Sequence, residues 1–237
     1  MTQVRFLGTW TALCIALSSV NSSAQDRPYD LALFGTFTTT SKLFHHPNDA
    51  DELLRGEFLP LNGIFSAGID LRRSFESIRI QLGVSIEYIK KTETSYISDV
   101  ASTLIPVKYG FTAIPIELTG YFIIPVGTED LHLYMGGGGG MYFGNRRYEY
   151  AGVSSVIVDR KVGYGIHIIS GIQYALHARV SLRSELKFRQ IQFENVNRFI
   201  EDTAVYNGVV VALDPEPFSS RIDIDGMTLN LGLVLHF

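Results

Sequence analysis

The chain has one cysteine and one tryptophan in 237 residues, Cys14 and Trp10, and both lie near the N-terminus. A lone thiol makes no internal disulfide, no Cys-x-x-Cys pair and no thiolate zinc site. Charge is also scarce. Charged residues are 19% of the chain, below the ~25% of average soluble domains, and the formal net charge is −4. With 46% hydrophobic residues, that composition excludes intrinsic disorder. A pI near 5.9 leaves no basic footprint for nucleic acid, so none is expected as a partner. Long apolar runs are missing beyond the N-terminus. The most apolar stretch, FTAIPIELTGYFIIPV, is interrupted by Pro115, Glu117 and Pro125, which excludes a membrane-spanning helix.

The first residues read as a secretory signal. Arg5 precedes the mostly apolar Phe6–Val20, and small side chains at Ser22 and Ala24 suit cleavage after Ala24. Leu13 stands where a lipoprotein signal needs a small residue before its cysteine, so a lipid anchor on Cys14 is not expected. Residues 1–24 are therefore assigned to the signal peptide and 25–237 to one domain. Removing the signal takes away both Cys14 and Trp10.

What remains is dominated by alternation with period two, the mark of strands with two different faces. Eight runs show it, about Tyr29–Thr40, Asn62–Arg73, Ile78–Lys90, Tyr109–Val126, Leu131–Asn145, Val162–Leu176, Ala178–Phe193 and Ile224–Phe237. In the seventh, Val180, Leu182, Leu186 and Phe188 oppose Arg179, Ser181, Arg183, Glu185, Lys187 and Arg189. Each run reaches the ~9–11 residues a tilted membrane strand requires. The connections alternate in length. Ser74–Ser77, Gly127–Asp130 and His177 are short, whereas Ser41–Leu61, Lys91–Lys108, Arg146–Lys161 and Glu194–Asp223 are long. The pattern predicts an all-β fold, an eight-stranded antiparallel up-and-down transmembrane β-barrel, with an even strand number that leaves no free edge. Within the last long loop, Asn207-Gly208 predicts a type I′ hairpin projecting above the barrel. In the first, Asn48 or Asp49 is placed to cap a short helix.

The chain ends in NLGLVLHF. Asn230, Gly232, Leu235 and Phe237 follow the pattern polar–x–Gly–x–x–hydrophobic–x–aromatic. This resembles the C-terminal strand by which outer-membrane β-barrels are taken up by the barrel assembly machinery. With the eight runs, the resemblance to small OmpA/OmpX-type barrels of the porin-like superfamily covers residues 25–237. It departs at Leu235, where an aromatic residue is frequent. The resemblance implies an outer-membrane location in a Gram-negative-type bacterium, with lipid and lipopolysaccharide as surroundings.

An eight-stranded barrel is just wide enough for side chains to fill. Depth counting places Arg183, Glu185 and Asn230 near the middle of its interior and Glu87, Glu117 and Lys187 slightly higher. Mixed charges in so confined a space predict an ion-paired plug, since isolated buried charge is too costly. A gate or proton path is the alternative. Gly136–Gly140 lacks the Lys-Ser/Thr and helix of a phosphate loop and is read as room for inward Tyr134, Tyr142 or neighbouring aromatics. Parity turns His132, His167 and His236 inward, at heights that no single metal joins. His45-His46 beside Asp49 and Asp51 is read as a solvated loop before a divalent-ion site, and Asp223-Ile-Asp225-Gly226 as a calcium-loop fragment only. Aromatic girdles are expected from Tyr29, Tyr121, Phe122, Tyr174 and Phe237 at the short-turn end and Phe37, Phe65, Tyr88, Tyr109, Phe143, Tyr164 and Phe188 at the other. The expected role is non-enzymatic and cofactor-free, structural or surface-interacting, with an unidentified extracellular partner at the long loops. A narrow solute channel and a lipid-modifying enzyme are the alternatives.

Overall fold

The computed structural model describes residues 27–98, 104–128 and 130–237. The signal segment assigned to residues 1–24 lies outside them. Eight strands form the barrel wall: β1 Tyr29–Thr38, β2 Ile64–Phe75, β3 Ile80–Ser98, β4 Leu104–Gly127, β5 Leu131–Tyr150, β6 Gly163–His177, β7 Val180–Arg198 and β8 Met227–His236. Each pairs antiparallel with its neighbours in sequence, and β8 returns to β1 to close the ring. At that seam Asp30 faces His236 and Thr38 faces Thr228. Tyr29 and Phe237 exchange backbone hydrogen bonds of 3.1 and 2.9 Å. Closure satisfies the backbone groups that hydrocarbon cannot.

The alternation sorts side chains as expected, with the apolar face outward. In β8, Leu229, Leu231 and Leu233 are exposed, while Thr228, Asn230 and Val234 on the opposite face are buried. In β7, Leu182 and Phe188 are exposed, whereas Arg183, Glu185, Lys187 and Arg189 are each 5% exposed or less. Only a hydrocarbon surround makes that inversion favourable. No described helix is long and apolar enough to cross a membrane.

Four strands run well past what a bilayer needs: β3 has 19 residues, β4 24, β5 20 and β7 19. Much of the expected loops Lys91–Lys108 and Arg146–Lys161 is therefore strand, a correction with a clear cause. Above the lipid the outward positions turn polar, so the two faces lose their contrast in sequence although the ladder continues. The tall wall is joined by Val156–Arg160 and Phe218–Ile224, which both pair with upper β7. Phe218–Ile224 in turn carries Lys42–Phe44, and that strand carries Phe58–Pro60. The expected hairpin forms between Thr203–Tyr206 and Val209–Ala212. Its turn residues Asn207 and Gly208 sit at φ 50° and 80°, the left-handed pair a type I′ turn demands. A short helix, α1, spans Glu52–Gly56. Its cap is Asp51, whose side chain accepts from the Leu53 N–H, rather than Asn48 or Asp49. Asp49 instead accepts from the Asp51 N–H.

The girdles need two corrections. Tyr121 is buried, and Tyr109 packs against the inner apolar cluster. Both sit at odd positions of β4, which face the lumen. Tyr29, Phe37, Phe65, Tyr88, Phe122, Tyr164, Tyr174, Phe188 and Phe237 are exposed on the outer wall.

Candidate functional site

The lumen is filled in layers. At the short-turn end His236 Nδ1 lies 2.6 Å from Asp30 and its Nε2 2.7 Å from Ser181 Oγ. The first charged layer lies above. Arg72, 1% exposed, donates from Nε to Asp70 at 2.6 Å and from Nη2 to Glu185. Its guanidinium also stacks 3.6 Å from the centre of the Tyr121 ring. Arg183 donates to the same Asp70 oxygen at 2.8 Å and to Gln173 at 3.2 Å. Tyr134 and Asn230 donate to Glu185 at 2.6 and 3.1 Å.

The second charged layer balances two carboxylates with two cations. Arg189 Nη1 donates to Glu87 at 2.8 Å, and Lys187 donates to Glu117 at 2.7 Å. Ser66 and Tyr142 donate to the remaining oxygens of Glu87 and Glu117, at 2.5 and 2.8 Å. His167 is hydrogen-bonded through Nε2 to Thr119 at 2.8 Å. An apolar layer follows: Leu43, Leu61, Ile64, Ile89, Phe111 and Phe193, among others, form one buried cluster.

Glycine makes this filling possible. A Cβ on Gly138 would collide with the Leu118 carbonyl oxygen, and one on Gly140 would lie 2.6 Å from that of Ile116. Adjacent strands thus approach closely along the glycine run. The inward aromatic rings lie against glycines of neighbouring strands: Tyr121 against Gly136, Tyr134 against Gly171 and Tyr142 against Gly165.

Glu87, Glu117, Arg183, Glu185, Lys187 and Asn230 are all buried and are shared between the two charged layers. Glu185, Arg183 and Asn230 join the lower layer, and Glu87, Glu117 and Lys187 the upper. Sequence reasoning placed Arg189 on the polar face of the seventh run but did not single out Asp30, Asp70 or Arg72. The parity of β2, where Ile69 and Leu71 face outward, carried the signal for Asp70 and Arg72. The C-terminal motif has roles on both faces of the wall, with Asn230 and Gly232 inward and Phe237 outward. Asn230 joins the ion-pair layer, a Cβ on Gly232 would lie 3.0 Å from that of Phe34, and Phe237 stacks on Tyr29 with ring centres 5.9 Å apart. Leu235 pairs across the sheet with Leu31 and Val180.

A second polar feature lies above the apolar layer. His45 Nδ1 accepts from Arg146 Nη2 at 2.8 Å, so one ring nitrogen of His45 is engaged with a cation. Burial, reinforced by Arg146, pushes the His45 pKa down to about 4. Asp225 is paired with Lys42 at 2.7 Å and Asp223 with Arg221 at 3.3 Å, so neither is free to build a calcium loop. Among the described residues no group of three or more His, Cys, Asp or Glu could hold a metal ion.

No family model matches the chain, and no curated protein matches it significantly. Solved structures do. The outer membrane protein OprG from Pseudomonas aeruginosa is 13% identical over 91% of this chain and 99% of its own, with a TM-score of 0.57. Neisserial surface protein A is 13% identical, covering 91% of this chain and 98% of that one, at a TM-score of 0.49. Ail, the attachment invasion locus protein of Yersinia pestis, is 13% identical over 89% and 99%, at 0.42. At such identities the likeness is one of fold. With eight antiparallel strands closed into a ring, apolar outside and ion-paired within, this chain has the fold of the small outer-membrane β-barrels.

Proposed function

We propose that this protein is a sealed, non-enzymatic outer-membrane barrel whose working part is its extracellular end. It is exported by the N-terminal segment that ends at Ala24, and the strand from Asn230 to Phe237 hands it to the barrel assembly machinery. Lipid and lipopolysaccharide surround its wall. One observation carries the reading: two ion-pair layers and an apolar layer occupy the lumen between the two mouths. A wall that rises above the bilayer on β3, β4, β5 and β7, with added strands and a hairpin, puts most of the irregular surface on the outer side.

Planar-bilayer recording on the refolded mature chain tests it. The expected trace is silent for protein whose folding is confirmed by heat-modifiable migration on gels. Steady unitary conductance from the same preparation would replace this reading with the channel.

A further inference from the structure

Among the described residues five cations are buried: Arg72, Arg146, Arg183, Lys187 and Arg189. Four have a carboxylate within 2.8 Å. Arg146 has no such carboxylate. It is 4% exposed, its Nε and Nη1 have no hydrogen-bond partner, and its only side-chain hydrogen bond is to the His45 ring. The guanidinium lies 4.7 Å from the Tyr148 ring centre and 5.1 Å from that of Phe218. Aromatic faces compensate part of its charge but leave its N–H groups unmatched. A guanidinium stays protonated at every physiological pH, so the charge cannot be shed.

The same side chain lines a cavity of about 310 Å³ at the extracellular end. Around it stand His45, Tyr148, Phe199, Leu213 and Phe218, so one side is polar and cationic and the rest apolar and aromatic. That is the volume and make-up of a small-ligand pocket with one charge to fix orientation. Asp214, at the rim, turns its carboxylate to its own loop, where it accepts from the Glu216 N–H at 2.9 Å. His45 accepts through Nδ1, which leaves Nε2 carrying its proton as a second donor.

We propose that this cavity binds a small organic carboxylate, its anionic group paired with Arg146 and its aromatic or branched apolar body against Tyr148, Phe199 and Phe218. The site rests on the extracellular end being the working part of a sealed barrel. The ligand supplies the anion that the fold withholds from Arg146.

The test uses the full mature chain in lipid nanodiscs, titrated calorimetrically with 1-naphthoate and with its neutral isostere 1-naphthamide, against empty nanodiscs. The expected result is saturable binding of one naphthoate per chain, with the amide weaker by at least about tenfold, as loss of a charge-assisted contact implies. Arg146→Gln should lose a similar factor for naphthoate, and Ala212→Trp, an exposed position on the cavity lining, should block both compounds. Equal affinity for acid and amide, binding unchanged by Ala212→Trp, or no saturable binding would overturn the site. Should Arg146→Gln fail to fold, the acid–amide pair on the unaltered chain still decides. Bilayer conductance separately decides whether the barrel is sealed, so the two ideas fail by different measurements.

Discussion

At the scale of single residues, the interior charges are tied to one another so closely that no partner can be removed cheaply. Arg72 joins Asp70 and Glu185 while lying on Tyr121. Arg72→Met keeps most of the volume but leaves Glu185 without its guanidinium, and breaking a buried pair in this way costs about 3–5 kcal/mol. Equilibrium urea unfolding from lipid vesicles should show that loss, and adding Glu185→Gln should recover part of it. A second prediction concerns His45. Its folded pKa, about 4, lies below the ordinary 6.5 because it is buried beside Arg146. A free or undocked His45 therefore takes up a proton first as pH falls. Docking against Arg146 is undisturbed above about pH 6.5, weakens as pH drops from there towards 4, and loses no more below 4, where both states are protonated. Amide hydrogen-exchange protection along residues 41–61, corrected for the intrinsic pH dependence of exchange, should fall across that window, and His45→Gln should flatten the dependence.

At the scale of elements, the glycine run of β5 makes a contrast that neighbouring positions can test. Gly138 faces the lumen and has no room for a Cβ, whereas a Cβ on outward Gly139 would lie 3.3 Å from the Gly165 carbonyl oxygen. Gly138→Ala should prevent formation of the compact, heat-modifiable species. Gly139→Ala should fold with a stability change under about 1 kcal/mol, the neighbour giving by a few tenths of an ångström. The sequence carried this element well inside the bilayer and poorly above it. From Leu131 to Asn145 the lumen and lipid impose opposite preferences on alternate residues, and the period shows. From Arg146 to Tyr150 both faces meet water or packed loops, so Arg146 looked like the start of a loop. It is in fact a strand residue buried beneath the hairpin. Much the same holds for Asp51, where two other acceptors close by in NDAD were equally plausible caps from composition alone.

For the whole molecule, the outer surface divides into a lipid-facing band and an aqueous crown. Leu231 and Ile200 are both exposed, at 54% and 70%, but only the first lies in the band. Leu231→Arg should cost about 2–4 kcal/mol in vesicle unfolding and Ile200→Arg close to nothing. Ring closure was legible from an even count of strands with alternating connection lengths. Which charges meet across the lumen was not, because Arg72 and Glu185 are 113 residues apart and their pairing depends on barrel tilt and stagger. The seam between Tyr29 and Phe237 has a kinetic consequence. Seven of the eight strand pairings join neighbours in sequence and can form by local zipping, but β1 with β8 must bring together residues about two hundred positions apart. Loop-closure entropy makes that encounter the slowest pairing, and topology of this kind makes folding slow. Until it occurs, both the β1 and β8 edges expose unpaired backbone, so the interval before closure is when this chain is most open to pairing with another.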